Sequence, residues 1–294
     1  MPKVKSLTPD EFKRVLTRRF EGAKKFRTQL ESIWSTNANI VMNDKGALRD
    51  QFNLTFDNVI ELESGEVDSG ASEIGLNLTF KHLRFFHSQL AANPPSVVAR
   101  PTSSDPSDQR KADAADRLCR HAMKNGDYQE KVDRMSLNML MYGTGYLKQV
   151  WDPDLGDTYD FNEETSEIIM DGDICAYAPA ITDIWLDPDV ATWDKGKYIF
   201  EKHKMSLEEA VFKWPEHEKA LKGVSERAED NMKQAVFSSK TDDVEPMVNV
   251  YEYYERGLPV NGMAGRHCFF LEDYTLLGSL TANPHYQKSL PYHI

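Results

Sequence analysis

The feature that most limits how this chain can fold is a change of hydrophobic period at residues 143–145. Upstream, Tyr128, Val132, Met135, Met139 and Tyr142 recur at steps of three and four, the spacing of one stripe along a helix. Downstream, Tyr146 to Trp151 has the composition and length of a strand, and Asp152-Pro153 breaks it. Gly143-Thr144-Gly145 stands between them. A helix has to end and a strand begin within three residues, and glycine is the residue that accepts the left-handed backbone such an ending requires. The spacing therefore predicts a helix cap and hinge. It excludes a phosphate loop, which needs the opposite order, strand before helix. The aspartates that follow, Asp152, Asp154 and Asp157, do not make a calcium loop either. Gly156 comes one place too early, and Glu163 reaches the twelfth position only in a register that misplaces the glycine. They predict hairpin turns.

Other elements can be read in the same way. Thr8-Pro9-Asp10-Glu11 is a capping box that opens a helix, and Phe12, Leu16, Phe20, Ala23, Phe26, Leu30 and Ile33 form its stripe up to about Trp34. Residues 41–72 read as irregular. A second helix is expected from about Ser72 to Ala92, with Phe80, Leu83 and Leu90 on its apolar face and His87 as a satisfied core histidine. A long helix begins near Ser107 and is interrupted at Asn125-Gly126. Short strands are expected at 167–170, 174–178, 181–186 and 197–203, then a capped helix from Ser206 to Trp214-Pro215 and a charged helical stretch over 216–238. Residues 248–254 and 268–271 read as a hairpin around the turn GLPVNGMAG. The class predicted is α+β, with long helices and short antiparallel strands.

Net charge is −12 over 294 residues, a balance that repels a DNA backbone and argues against an ordinary nucleic-acid binder. The charge is uneven. Residues 1–35 carry nine Lys and Arg against four acids, so the remainder carries −17. Such a basic helix is either a solvated face or a contact with something acidic, a neighbouring copy included. Cys119, Cys175 and Cys268 lie far apart, which fits a reducing compartment and buried thiols. The N-terminus MPKVKSLTPDEF has no apolar signal region, and no apolar run approaches the ~18 residues of a membrane span. No HExxH or Ser-His-Asp elbow is present. Asp189 with Glu201-Lys202-His203 approaches a metal-dependent nuclease pattern, but His203 stands where that pattern needs lysine.

Three stretches carry a resemblance. They are "LAANPPSVVARPTSSDPSD", "MYGTGYLKQVWDPDLGD" and "GDICAYAPAITDIWLDPDVATWDKGKYIFEKHKMSLEEAVFKWP", in that order, with "VNVYEYYERG" as a weaker extension. Over about residues 73–215 the chain resembles the N-terminal half of a tailed-bacteriophage portal protein.

The resemblance implies a portal-like architecture: a wing-like α+β domain over 1–205, a helical segment leading toward the stem over 206–245, and a clip-like β region over 246–294. Portals of this kind are longer, so the chain is expected to be an N-terminal portion that stops before a return stem helix. The implied role is a homo-oligomeric ring, usually a dodecamer, at one capsid vertex of the virion, assembled in the host cytoplasm. Double-stranded DNA passes through it, and terminase, tail adaptor, major capsid and scaffolding proteins are its partners. No cofactor, metal or catalytic residue is implied, nor a membrane. Arg14, Arg18, Arg19 and Lys25 become candidates for the subunit interface. Lys219, Lys222, Arg227 and Lys233 become candidates for the channel side, unless they form a plain solvated helix face. An acidic conduit suits the role, because strong phosphate contacts would stall a sliding duplex. The alternatives are another virion structural protein, such as an adaptor or head-completion factor, and a divergent nuclease using Asp189 and Glu201.

Overall fold

The computed structural model describes residues 8–43, 77–92, 97–153, 155–162, 167–189, 195–225, 246–257, 265–285 and 289–294. In chain order the helices are α1 (Pro9–Met42), α2 (Leu78–Ala92), α3 (Pro106–Asn125), α4 (Tyr128–Tyr142) and α5 (Leu207–Lys213). The strands are β1 (Leu147–Asp152), β2 (Thr158–Asn162), β3 (Glu167–Met170), β4 (Asp173–Tyr177), β5 (Ile184–Leu186), β6 (Tyr198–Ser206), β7 (Met247–Glu255), β8 (His267–Phe270), β9 (Leu276–Thr281) and β10 (Tyr292–His293). All strand pairings among the described residues are antiparallel, so the α+β class holds. The chain divides into two compact units, Met1–Gln29 with Thr182–Pro291, and Leu30–Ile181 with Tyr292–Ile294.

The first unit is built on a five-stranded sheet in the order β5-β6-β7-β8-β9. Successive strand residues point to opposite faces, so alternation divides β7 cleanly. Tyr251 and Tyr253 join Phe200, Cys268, Phe270 and Trp185 on one face, where Phe12, Leu16, Phe20 and Ala23 of α1 pack against them. Phe20 is the centre of this cluster. Its ring centroid lies 4.9 Å from Phe200, 5.0 Å from Tyr251, and 5.4 Å from both Trp185 and Phe270, mostly edge-on. On the other face Val248, Val250, Leu271 and Leu277 pack with Ala210 of α5 and with Leu221 and Val224 of the helical stretch 218–225. Ser206 ends β6 and caps α5, accepting from the Glu209 amide at 3.1 Å. β7 is covered on both faces, which explains why its sequence does not alternate hydrophobic and polar as a half-exposed strand does.

The second unit holds α2, α3, α4, the later part of α1 and a three-stranded sheet β10-β1-β4. α1 runs to Met42, eight residues past Trp34 where the sequence suggests an end. Tertiary bonds outweigh the low helix propensity of its asparagines. Asn37 donates to the Met141 carbonyl at 3.1 Å, Trp34 packs edge-on against Tyr142, and Val41 is buried. Within the expected helix 72–92, residues 72–76 lie outside the described residues. α2 starts at Leu78, capped by Asn77, whose Oδ1 accepts from the Phe80 amide at 2.8 Å. The expected irregular segment 41–72 is described only at 41–43, where the helix is finishing.

The period change falls where the sequence places it. Gly143 caps α4 at φ 80°, its amide donating to the Met139 carbonyl at 2.9 Å. Gly145 is needed for a different reason: a Cβ there would lie 2.3 Å from the Met135 carbonyl oxygen. Of the aspartates expected in turns, Asp154 lies outside the described residues, Asp152 ends β1, and Asp157 closes a turn. Asp157 and Asp171 exchange bonds at the base of the β2–β3 hairpin, amide to carboxylate at 2.9 Å and amide to carbonyl at 3.1 Å.

Candidate functional site

On α1 each residue turns the helix by roughly 100°. Phe12, Leu16, Phe20 and Ala23 share one buried arc, while Arg14, Arg18 and Lys25 fall together on the far side and are exposed. Arg19 does not belong with them. It lies at the margin of the buried arc, where its Nη1 donates to the Tyr253 hydroxyl and to Glu255 Oε1, the latter at 2.7 Å. Glu255 also faces Arg266 at 3.5 Å. Burial disfavours the Arg19 charge, but Tyr253 and Glu255 outweigh it and raise its pKa above the ordinary value. Arg27 is likewise turned inward, 3.9 Å from the centroid of Trp185. Arg19 and Arg27 thus serve their own unit, leaving Arg14, Arg18 and Lys25 as the outward charges of the sequence-derived group. Counting charges could not separate Arg18 from Arg19; the helical angle could.

The second surface was not legible as such. The stripe expected to bury α2 is largely at the surface: Phe80 and Leu90 are exposed, as are Leu78, Phe85 and Phe86 beside them, and Leu83 is the buried side chain of the helix. His87 behaves as expected, partly buried with Nε2 at 3.0 Å from the Asp133 carbonyl. Elsewhere in the same unit Trp151, Tyr159 and Ile168 are exposed as well. A contiguous apolar patch at a surface marks a place where another molecule packs, and Phe85 and Phe86 of α2 adjoin, their ring centroids 5.7 Å apart.

Of the channel candidates, Lys219 and Lys222 are exposed, with Lys222 paired to Glu218 at 2.6 Å one turn away. Arg227 and Lys233 lie outside the described residues. Among the described residues no helix is long and apolar enough to cross a membrane.

A family model described as phage P22-like portal protein matches residues 68–258. The chain belongs to that family. The match takes in both the stretch 73–215 and the weaker extension "VNVYEYYERG", and it runs from α2 through β7. No curated protein matches the chain. The portal family is structural and not enzymatic. Of the two acids of the nuclease alternative, Glu201 groups with His203 and Glu252, and the Asp189 amide donates to Asp187 Oδ1 in a turn. α1 up to Met42 precedes the part of the chain that the portal family model matches.

Proposed function

We propose that this portal-family chain is a subunit of a ring, a dodecamer, at one vertex of a phage capsid. Double-stranded DNA enters and leaves through its bore, and the ring is the docking platform for terminase and the tail adaptor, held by the major capsid and scaffolding proteins. The family match over residues 68–258 carries the reading. Two features support it. The apolar side chains left outside on α2 are what a chain designed to pack against copies of itself leaves uncovered. The net charge of −12 suits a wall past which a polyanion slides without binding.

On this reading residues 1–205 are wing-like, 206–245 lead toward the stem and 246–294 are clip-like, with the β6–β7 pairing tying the first and last of these into one sheet. Arg14, Arg18 and Lys25 face an acidic neighbour across the subunit interface, and Lys219, Lys222, Arg227 and Lys233 lie on the channel side. Electron microscopy of the purified protein tests the proposal: rings with an open central bore are expected, and compact particles without a bore overturn it.

A further inference from the structure

On the α5-facing side of the five-stranded sheet, two carboxylates are brought together in a place that ordinarily excludes charge. Glu201 of β6 and Glu252 of β7 are direct partners in the ladder, so both project from the same face. Their residues are only 6% and 4% exposed. Like charges directly opposite each other are destabilising in a sheet, and buried carboxylates require a cation or hydrogen-bond donors. Two histidines meet them. His203 Nε2 lies 2.9 Å from Glu252 Oε2 and 3.6 Å from Glu201 Oε2. His267 Nε2, from β8, lies 2.8 Å from the other oxygen of Glu252, Oε1.

The geometry points to a divalent metal site of the zinc class, with Glu201, His203 and Glu252 as ligands and His267 as the residue that positions Glu252. One ligand atom from each of the three residues lies within 4.8 Å of the others. Ligands held about 2.0–2.2 Å from a tetrahedral ion sit roughly 3.3–3.6 Å apart, and the separations of 2.9 and 3.6 Å around His203 need only a small adjustment to reach that range. Imidazole nitrogen with carboxylate oxygen is a zinc-type donor set, whereas calcium and magnesium take oxygen cages. His267 bonds Glu252 Oε1, and Oε2 is the oxygen that stands 2.9 Å from His203 Nε2, so Oε2 is the ligand atom and His267 the outer partner, the usual arrangement around a metal-bound carboxylate. The His203 side chain is 31% exposed, so an ion and a water ligand can reach the site from solvent. Bound there, the ion cross-links the central pair β6 and β7 and neutralises the two facing carboxylates.

The test strips the purified protein with a chelator, reloads it with zinc, removes the excess and measures metal content and thermal midpoint. One zinc per chain is expected, with a higher midpoint than the stripped protein. Glu201→Gln and His203→Asn should lose the zinc and the gain, with folding checked by circular dichroism, while Glu216→Gln retains both. His267→Gln should still bind one equivalent, about 10–100-fold more weakly. Cobalt substitution of the unaltered protein, read by its visible absorption, decides the matter even where a variant fails to fold: ligand-field bands of a four-coordinate nitrogen-and-oxygen site support the proposal. Zinc content no greater than in the His203→Asn variant, or a cobalt spectrum of the free aqua ion, overturns it and leaves plain histidine–carboxylate pairs.

Discussion

At the scale of residues, side-chain type alone is misleading. Arg18 and Arg19 are neighbours of identical charge, yet one is exposed and the other bonds Tyr253 and Glu255. Arg19→Ala leaves a largely buried carboxylate with a weaker partner, so a loss of about 1–3 kcal/mol is expected. Arg18→Ala should change stability by less than about 0.5 kcal/mol. Urea denaturation midpoints of the two variants check the contrast. The helix stripe was legible at Phe12, Leu16, Phe20 and Ala23 because periodicity is a local property of sequence, but Phe26 and Ile33, which the same spacing includes, are exposed. What the stripe touches was not legible, since Phe20 draws its partners from Trp185, Phe200, Tyr251 and Phe270, far along the chain. The pairing of Glu201 with Glu252 was hidden because β7 is covered on both faces and lacks the alternation that would fix its register against β6.

At the scale of elements, the join of α4 to β1 was the most legible part, because its two glycines answer to backbone geometry alone. They answer to it differently, and substitution separates them. Gly143 has φ 80° and open space around it, so Gly143→Asn, which tolerates the left-handed region, should cost less than about 1 kcal/mol. Gly145→Ala forces a methyl group against the Met135 carbonyl and should cost about 1–3 kcal/mol or more. Thermal unfolding of both variants, with hydrogen exchange over residues 147–152, measures the difference. Elements that depend on distant partners were missed. β9 has glycine and serine in its middle, and β10 has only two residues, which are strand-like because β1 lies beside them. α2 was read correctly as apolar but assigned to the core, since periodicity reports that a face is apolar and not what covers it.

At the scale of the whole molecule, burial leaves a signature in alkaline solution. Burial first, and acidic neighbours second, push the Tyr198 and Tyr251 hydroxyls and the Cys268 thiol up to about 12. These groups hold their protons more tightly folded than unfolded, so their contribution is complete below their unfolded pKa values. It is lost as pH rises from about 9–10 toward 12. Stability should therefore be flat from neutral pH to about 9 and fall beyond it, with tyrosinate absorbance rising as the protein unfolds. That behaviour belongs to the folded subunit. In the proposed assembly of that subunit, the exposed faces of α1 and α2 meet other copies. Native mass spectrometry of the purified protein tests it most directly. A closed ring is predicted, seen as one discrete dodecameric mass built from 33.6 kDa chains and weakened by Arg14→Glu with Arg18→Glu. A single 33.6 kDa species at every protein concentration would contradict it.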